Sequence, residues 1–332
     1  MKKLSVLSFS HFCVDLCCAA LFFGRLAEGA DWWLYMVLYN GCAFALQLPL
    51  GLLADRLHRD LPFATAGCAL VAGSFFLTSV PLLCALLCGI GNGMFHVGGG
   101  REVLGSSDKA APLGVFVSPG AIGLYLGTVW ASFFLRRIWM LPVLMVLMGL
   151  LILLAGRHEG SWFSRCASLS LTPKGGCLAL FCLFLVVVLR SWLSGGSFSA
   201  GLDGVPGVLP VLCLALGKAA GGFLGDRLGL RRTAVLSLGA TALLLLFPAG
   251  CTSLLRLFLF NMTMPLTLLG AARLMPEAKG ASFGLLTSAL FVGMIPRFLG
   301  VAQGLPSLLG AAQVLLSLSL LWAGLRKERT HG

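Results

Sequence analysis

A short charged element occurs twice in this chain of 332 residues. Residues 51–57 read Gly-Leu-Leu-Ala-Asp-Arg-Leu, and residues 222–228 read Gly-Phe-Leu-Gly-Asp-Arg-Leu. The two copies are separated by about half the length of the chain. Weaker matches keep nearly the same offset, since Gln47 pairs with Lys218 and Gly114 pairs with Gly284. A repeat at a constant offset indicates two related halves joined in tandem.

Apolar residues make up 58% of the chain, and charged residues make up only 11%. This balance lies far from that of a soluble globular domain, so the composition predicts an integral membrane protein. A helix needs about 20 mostly apolar residues to cross roughly 30 Å of hydrocarbon. Twelve such runs, six in each half, lie near residues 5–26, 33–53, 62–80, 81–99, 112–134, 138–155, 178–199, 206–225, 233–250, 251–272, 281–300 and 304–325.

The net charge of +12 could suggest a nucleic-acid partner, but the placement of the cations argues against one. With the N-terminus inside and twelve crossings, most of the 24 Lys and Arg residues fall in inner segments, and the outer loops hold Arg25, Arg136 and Arg137. Cationic loops stay on the cytoplasmic side of a membrane. The distribution therefore predicts a multi-pass protein of the cytoplasmic (inner) membrane with both termini in the cytoplasm.

The polar stretch 156–176 is the only long connection in the sequence. It predicts a cytoplasmic linker between an N-terminal six-helix bundle, 1–155, and a C-terminal six-helix bundle, 177–332. Almost every other predicted loop is short.

Several function classes lack their motifs. The 12 cysteines lie mostly within apolar runs and show no CxxC spacing, so neither a metal site nor a disulfide framework is predicted. No nucleotide phosphate loop, His-Glu-x-x-His or Gly-x-Ser-x-Gly sequence occurs. We therefore expect no cofactor and no enzymatic activity.

The repeated element resembles the Gly-x-x-x-Asp-Arg-x-Gly-Arg-Arg signature of the major facilitator superfamily, and the second copy is the better match. In the first copy, His58 replaces the usual Gly and Asp60 replaces the second cation. The resemblance implies twelve transmembrane helices in two pseudo-symmetric six-helix bundles, with a central cavity lined by spans 1, 4, 7 and 10. It also implies that four residues latch the outward-facing state, namely Asp55, Arg56, Asp226 and Arg227.

Within the superfamily, the chain is most similar to the fosmidomycin-resistance branch. The matching segments are His11-x-x-x-Asp15 in span 1, Gly89 to His96 in span 4, Phe116 to Gly123 in span 5 and Leu189 to Trp192 in span 7. This resemblance implies efflux of a drug or phosphonate. Span 5 lacks the Gly-Pro pair of the antiporter element, because Pro119 precedes Gly120, and this departure favours anion uptake as the alternative.

Charged side chains at bilayer depth are costly and are mostly functional. Asp15 lies near the middle of span 1, and His11 lies one turn away on the same face. The pair is a candidate proton-coupling site. The alternative is that the two side chains bond each other and lock helix packing.

Arg190 lies near the middle of span 7. Its planar fork suits a carboxylate, phosphate or phosphonate, so it is a candidate substrate-binding residue. The alternative is an ion pair with Asp15 across the interface between the halves.

Further candidates are polar residues in other predicted spans. His96 is expected either to face the cavity or to bond a neighbouring backbone group, and Lys218, with its counterpart Gln47, either to orient the gate or to touch the ligand. The remaining substrate-binding candidates are Asn92, Tyr39, Asn261 and Arg297.

These residues together predict a secondary transporter for a small organic anion or drug-like solute, working as a monomer by alternating access and coupled to protons. Efflux is favoured over uptake. A non-transporting receptor on the same scaffold is a further alternative.

Overall fold

The computed structural model describes residues 2–156, 176–193, 202–247, 250–301 and 306–325. All regular secondary structure in these ranges is helical. The first half contributes α1 to α6, which cover Lys2–Leu26, Trp32–Leu57, Asp60–Leu77, Pro81–Ser106, Ala110–Val129 and Met140–Ala155. The second half contributes α7 to α12, which cover Gly176–Leu193, Val208–Leu228, Leu230–Leu245, Thr252–Leu274, Lys279–Phe298 and Ser307–Gly324.

Ten of these helices are long and apolar enough to cross a membrane. The other two, α6 and α9, have 16 residues each and lie at predicted spans 6 and 9. The break between spans 3 and 4 is confirmed, because α3 ends at Leu77 and Pro81 opens α4. Most of the predicted linker, including Arg157 to Lys174, lies outside the described residues. The chain is thus a multi-pass membrane protein built from helices.

Large apolar side chains cover the outer surface of the molecule. Leu150 on α6, Leu178 on α7, Leu243 on α9 and Leu308 on α12 are all exposed. A soluble monomer rarely exposes so much contiguous apolar surface, whereas lipid tails solvate it without penalty. This surface is therefore the lipid-facing one.

Glycines allow the helices within each half to approach closely. A methyl group at Gly123 would overlap the carbonyl oxygen of Phe12, and one at Gly127 would overlap that of Leu16, so α5 lies directly against α1. Gly221 of α8 faces the carbonyl of Met262 in α10 in the same way. Small residues at such contacts give helices in membranes their packing surfaces.

The repeat in the sequence corresponds to a repeat of contacts between the halves. Gly51 of α2 lies against the carbonyl of Gly280 in α11, and Gly222 of α8 lies against the carbonyl of Ala110 in α5. Gly51 and Gly222 are equivalent positions of the repeat, and so are Ala110 and Gly280, so the same contact occurs once from each half. The two halves are therefore related by pseudo-symmetry in their contacts as well as in their sequence.

A second set of glycine contacts follows the same rule. Gly284 of α11 meets the carbonyl of Gln47, and Gly114 of α5 meets the carbonyl of Lys218. The weaker matches in the sequence pair the same four residues, Gln47 with Lys218 and Gly114 with Gly284. The interface between the halves accordingly has two equivalent helix pairs at its centre, α2 with α11 and α5 with α8.

The helix α5 is interrupted in its middle. Its first segment ends at Val117 and its second begins at Pro119, with Ser118 between them. Proline has no backbone N–H and therefore cannot donate to the preceding turn. The carbonyl groups of Phe116 and Val117 at this break accept bonds from side chains, and both bonds belong to the site below.

Candidate functional site

Four predicted side chains of the first half converge at one place. His11 and Asp15 lie one turn apart on α1, and Asn92 and His96 lie one turn apart on α4. His11 Nε2 is 3.2 Å from Asp15 Oδ2, and His96 Nε2 is 3.7 Å from Asp15 Oδ1. The Nε2 atoms of the two histidines are 2.8 Å apart. The structure thus joins two candidate groups that the sequence placed in separate spans.

The hydrogen bonds of the two Nδ1 atoms define the tautomer of both histidines. Nδ1 of His11 is 2.7 Å from the carbonyl oxygen of Phe116, and Nδ1 of His96 is 2.9 Å from that of Asn92. A carbonyl oxygen only accepts, so each Nδ1 carries the hydrogen. In the neutral ring, each Nε2 then presents a lone pair. Two imidazole lone pairs and one carboxylate therefore point at a common space.

Asn92 extends this cluster toward α2. Its amide nitrogen lies 3.3 Å from Asp15 Oδ1 and 3.2 Å from the hydroxyl oxygen of Tyr39, with Cys18 Sγ at 3.5 Å. Tyr39, a predicted substrate contact, is held at the edge of the cluster by this amide. Asn92 itself is buried, and the bonds from its amide orient Asp15 and Tyr39.

Gly120 closes the cluster on the side of α5. A methyl group at this position would overlap His11 Nε2 and Asp15 Oδ2. The side chains of α1 occupy the volume that any larger residue would need, which is why the second segment of α5 approaches them through a glycine. In the sequence, Gly120 is distinguished only by its place in the span 5 segment that resembles the family.

Arg190 lies in the second half, with no acidic partner in the part of the chain that the structure describes. It is 7% exposed, and its guanidinium NH1 is 3.4 Å from the hydroxyl oxygen of Thr263 on α10. Among the described residues, no carboxylate forms a salt bridge with it, and Asp15 is engaged by the histidines and Asn92 instead. The alternative of an ion pair between Arg190 and Asp15 is not present in this conformation.

Lys218 connects the second half to the break in α5. Its Nζ donates to the carbonyl oxygen of Val117 at 3.2 Å. The neighbouring carbonyl, that of Phe116, accepts the bond from Nδ1 of His11. Lys218 also interacts electrostatically with Asp15 and with Arg190. Lys218 therefore lies in electrostatic range of the Asp15 carboxylate in the first half and of Arg190 in the second.

The acids of the repeated element bind helix termini of the opposite half. Asp55 accepts from the backbone N–H of Gly280 at 2.9 Å and of Ala281 at 2.7 Å. Asp226 accepts from those of Ala110 and Ala111, at 2.7 and 2.9 Å. Each carboxylate thereby satisfies free donors at the start of a helix, where the helix dipole favours negative charge.

The cation that pairs with Asp55 is one that sequence reasoning missed. Arg101, near the C-terminal end of α4, donates through Nε to Asp55 at 2.7 Å and through NH1 to Asp60 at 2.5 Å. Arg56 and Arg227, the predicted cations, are exposed. The signal that could have identified Arg101 is its position directly after the glycines 98–100, which let α4 pack closely enough to reach both acids.

Three predicted residues lie apart from the cluster. Arg297 is exposed near the end of α11. Asn261 donates to the carbonyl of Leu257 in its own helix at 2.8 Å. Gln47 is fully buried between the halves and donates to the carbonyl of Ala43 at 2.6 Å.

No family model matches the sequence, and no curated protein matches it either. Several solved structures do match the fold of this chain. The fucose:proton symporter FucP of E. coli superposes with a TM-score of 0.69 at 13% identity, over 98% of this chain and 98% of that one. Its outward conformation, described as a major facilitator superfamily transporter, gives a TM-score of 0.67 at 13% identity, over 98% and 100% of the chains.

Two further structures match over nearly their whole length. The human organic anion transporter MFSD10 has a TM-score of 0.67 at 17% identity, over 96% of this chain and 99% of that one. A bacterial homologue of the iron transporter ferroportin, in its outward-facing state, has a TM-score of 0.66 at 16% identity, over 98% of both chains. The chain therefore has the all-helical, two-bundle major facilitator fold that the repeated element predicted.

Proposed function

We propose that this protein is a secondary active transporter that carries a small organic anion or drug-like solute across the cytoplasmic membrane by alternating access. One observation carries the proposal, namely the buried guanidinium of Arg190, whose partner within the described ranges is a hydroxyl and not an acid. An intramembrane cation of this kind is costly and is retained mostly where it binds a substrate or ion.

An anionic solute supplies what Arg190 lacks. Two parallel charge-assisted hydrogen bonds to a carboxylate or phosphonate satisfy a guanidinium better than one hydroxyl at 3.4 Å. Lys218 adds a second positive charge in electrostatic range. The name of the similar MFSD10 structure, an organic anion transporter, is consistent with this substrate class.

Alternating access follows from the interface between the halves. The contacts of Asp55 and Asp226 close one end of the molecule, and releasing both would let the bundles 1–155 and 177–332 rock about the central site. We assign this closed end to the cytoplasm, in keeping with the cation distribution, which makes the conformation described here outward-facing, and we propose that the protein works as a monomer.

Proton coupling is the second part of the proposal. The lone pairs of His11 and His96 and the carboxylate of Asp15 share a space that one proton would fill. Among the described residues, further titratable groups near Asp15 are Tyr39 from α2 and Lys218 from α8, and Cys18 from α1 lies beside Asn92. A proton held there offsets the repulsion among the lone pairs of the two Nε2 atoms and the carboxylate of Asp15. FucP, one of the similar structures, is named as a proton symporter.

Efflux is the favoured direction, because the segments at His11, His96 and Arg190 resemble the fosmidomycin-resistance branch. Uptake of an anion is the alternative, and the order Pro119-Gly120 in α5 supports it. A receptor on the same scaffold would bind the solute without moving it.

Purified protein in proteoliposomes with an imposed pH gradient tests the proposal. Candidate carboxylates and phosphonates should move in response to the gradient, and Arg190→Ala should abolish movement. Arg136→Ala is the matched control, since Arg136 is an exposed arginine of an outer connection. Transport by Arg190→Ala equal to that of the control would refute the role of Arg190, and transport that ignores the gradient would refute proton coupling. Solute binding without transport by the unaltered protein would indicate the receptor.

A further inference from the structure

We propose that His11, Asp15 and His96 form a binding site for one divalent first-row transition metal ion of the Zn²⁺ class. Among the described residues, their ligand atoms form a group within 4.8 Å of one another. The site lies inside the membrane-spanning part of the first half, between α1 and α4. Its geometry, its tautomers and its donor types each support the assignment.

The separations between the donors fit one ion. Nitrogen and oxygen ligands bound at about 2.0–2.2 Å in tetrahedral or octahedral geometry lie about 3.0–3.4 Å from each other. The three pairs here are separated by 2.8, 3.2 and 3.7 Å. The His11–Asp15 pair lies within this range, and the two pairs that involve His96 lie just below and just above it. An ion at the centre would replace a contact between two lone pairs with two coordinate bonds.

The outer contacts of both histidines are those of metal ligands. A coordinating imidazole usually donates its other N–H to a carbonyl or carboxylate, which sets the ring orientation. His11 does so to Phe116 and His96 does so to Asn92. Asn92 additionally donates its side-chain amide to Asp15. Every proposed ligand therefore has an orienting contact.

The donor set selects the class of ion. Two imidazole nitrogens and one carboxylate suit Zn²⁺, Co²⁺, Ni²⁺ or Fe²⁺, whereas Ca²⁺ and Mg²⁺ prefer oxygen ligands. Three protein ligands leave at least one coordination position for solvent or an anion, as in zinc sites with three protein ligands. Nothing in the sequence indicated this set, because His96 is 85 residues from His11.

Lys218 opposes the binding of a dication. It interacts electrostatically with both Asp15 and His96, and Asp15 supplies the only negative charge among the three ligands. Removing the positive charge of Lys218 should therefore strengthen metal binding. The expected result of this substitution is tighter metal binding, which a misfolded protein would not show.

The experiment uses full-length protein purified through a tag without histidine, stripped with a chelator and titrated with Co²⁺ in detergent. We expect one Co²⁺ per chain, with visible ligand-field absorption and no thiolate-to-cobalt band. Loss of a direct ligand should weaken binding at least as much as loss of an orienting contact, which is about 10- to 100-fold. His11→Ala, His96→Ala and Asp15→Asn should each show this loss. His58→Ala is the matched control, because His58 is exposed.

Lys218→Gln should bind Co²⁺ about three- to tenfold more tightly, because a like charge near the ion is removed. Absence of binding, binding undiminished by the His11 and His96 variants, or a thiolate band from the cysteines would each overturn the site. An affinity unchanged in Lys218→Gln would place the ion elsewhere. The result is separable from transport, since a protein that binds Co²⁺ and moves no anion loses only the transporter proposal.

Discussion

The rings of His11 and His96 meet edge to face, with their planes 85° apart and their Nε2 atoms 2.8 Å apart. Each ring is anchored on its other side by a backbone carbonyl, so neither is able to turn its N–H toward the other without losing a bond. The pair therefore joins α1 to α4 through a space that suits a proton or a metal ion. This contact lies beside the carboxylate of Asp15, which interacts electrostatically with Lys218 of the second half.

Gly120→Ala should disturb this contact, because the added methyl group overlaps His11 and Asp15. Overpacking of this kind costs about 1–3 kcal/mol, so we expect a lower unfolding temperature and impaired transport. Gly239→Ala is the control, since a methyl group at Gly239 of α9 meets no atom within 4 Å. Thermal unfolding in detergent measures the difference, and equal behaviour of the two variants would contradict the role of Gly120.

Asp55→Asn should loosen the interface between α2 and α11. The buried carboxylate accepts from Gly280, Ala281 and Arg101, and hydrogen bonds to a charged group contribute about 1.5–3 kcal/mol. We expect faster hydrogen exchange of the amides at the start of α11, measured by mass spectrometry. Asp203→Asn, on an exposed connection, should leave this exchange unchanged. Equal protection in both variants would count against Asp55.

Asp226→Asn should preserve expression but reduce transport, because Asp226 holds the start of α5 through Ala110 and Ala111. If the two halves open as bodies, this variant should also raise exchange at the start of α11, although Asp226 does not touch it. Exchange that rises only at α5 would show that the two acids act locally. Normal transport by Asp226→Asn would refute its part in the latch.

Thr263→Val should weaken anion transport modestly, because it removes the hydroxyl that Arg190 contacts. A neutral hydrogen bond contributes about 0.5–1.5 kcal/mol, which corresponds to a change of about two- to tenfold in apparent affinity. Thr267→Val is a close control. Thr267 is also buried in α10 and also donates to a carbonyl three residues back, whereas the hydroxyl that Arg190 contacts is that of Thr263. Identical affinities in the two variants would remove Thr263 from the site.

Gly51→Ala should disfavour the conformation seen here, because its methyl group would overlap the backbone of Gly280. We expect the halves to separate at the end that carries Asp55, with increased exchange at both α2 and α11. Gly105→Ala, at an open position near the end of α4, provides the control. Exchange that remains at the level of the unaltered protein would indicate that this contact is dispensable.

Much of the fold could be read from the sequence. The apolar runs located twelve helices, and the two copies at Asp55 and Asp226 indicated a duplicated architecture before any contact was known. Periodicity and composition act over a single helix, and a repeat needs only comparison of the chain with itself. Glycines such as Gly114 and Gly284 were paired by their offset alone, and the structure gives both the same kind of contact.

The site needed the tertiary structure. The sequence pairs His11 with Asp15 because one helical turn separates them, whereas His96 is a separate candidate because no local pattern relates α1 to α4. The family resemblance points to Arg56 and Arg227, next to the acids in the chain, as gating cations, whereas Arg101 reaches Asp55 and Asp60 from another helix. Spacing along a helix determines which side chains share a face. Which faces meet depends on packing between helices, and here the glycines of α4 and α5 decide it.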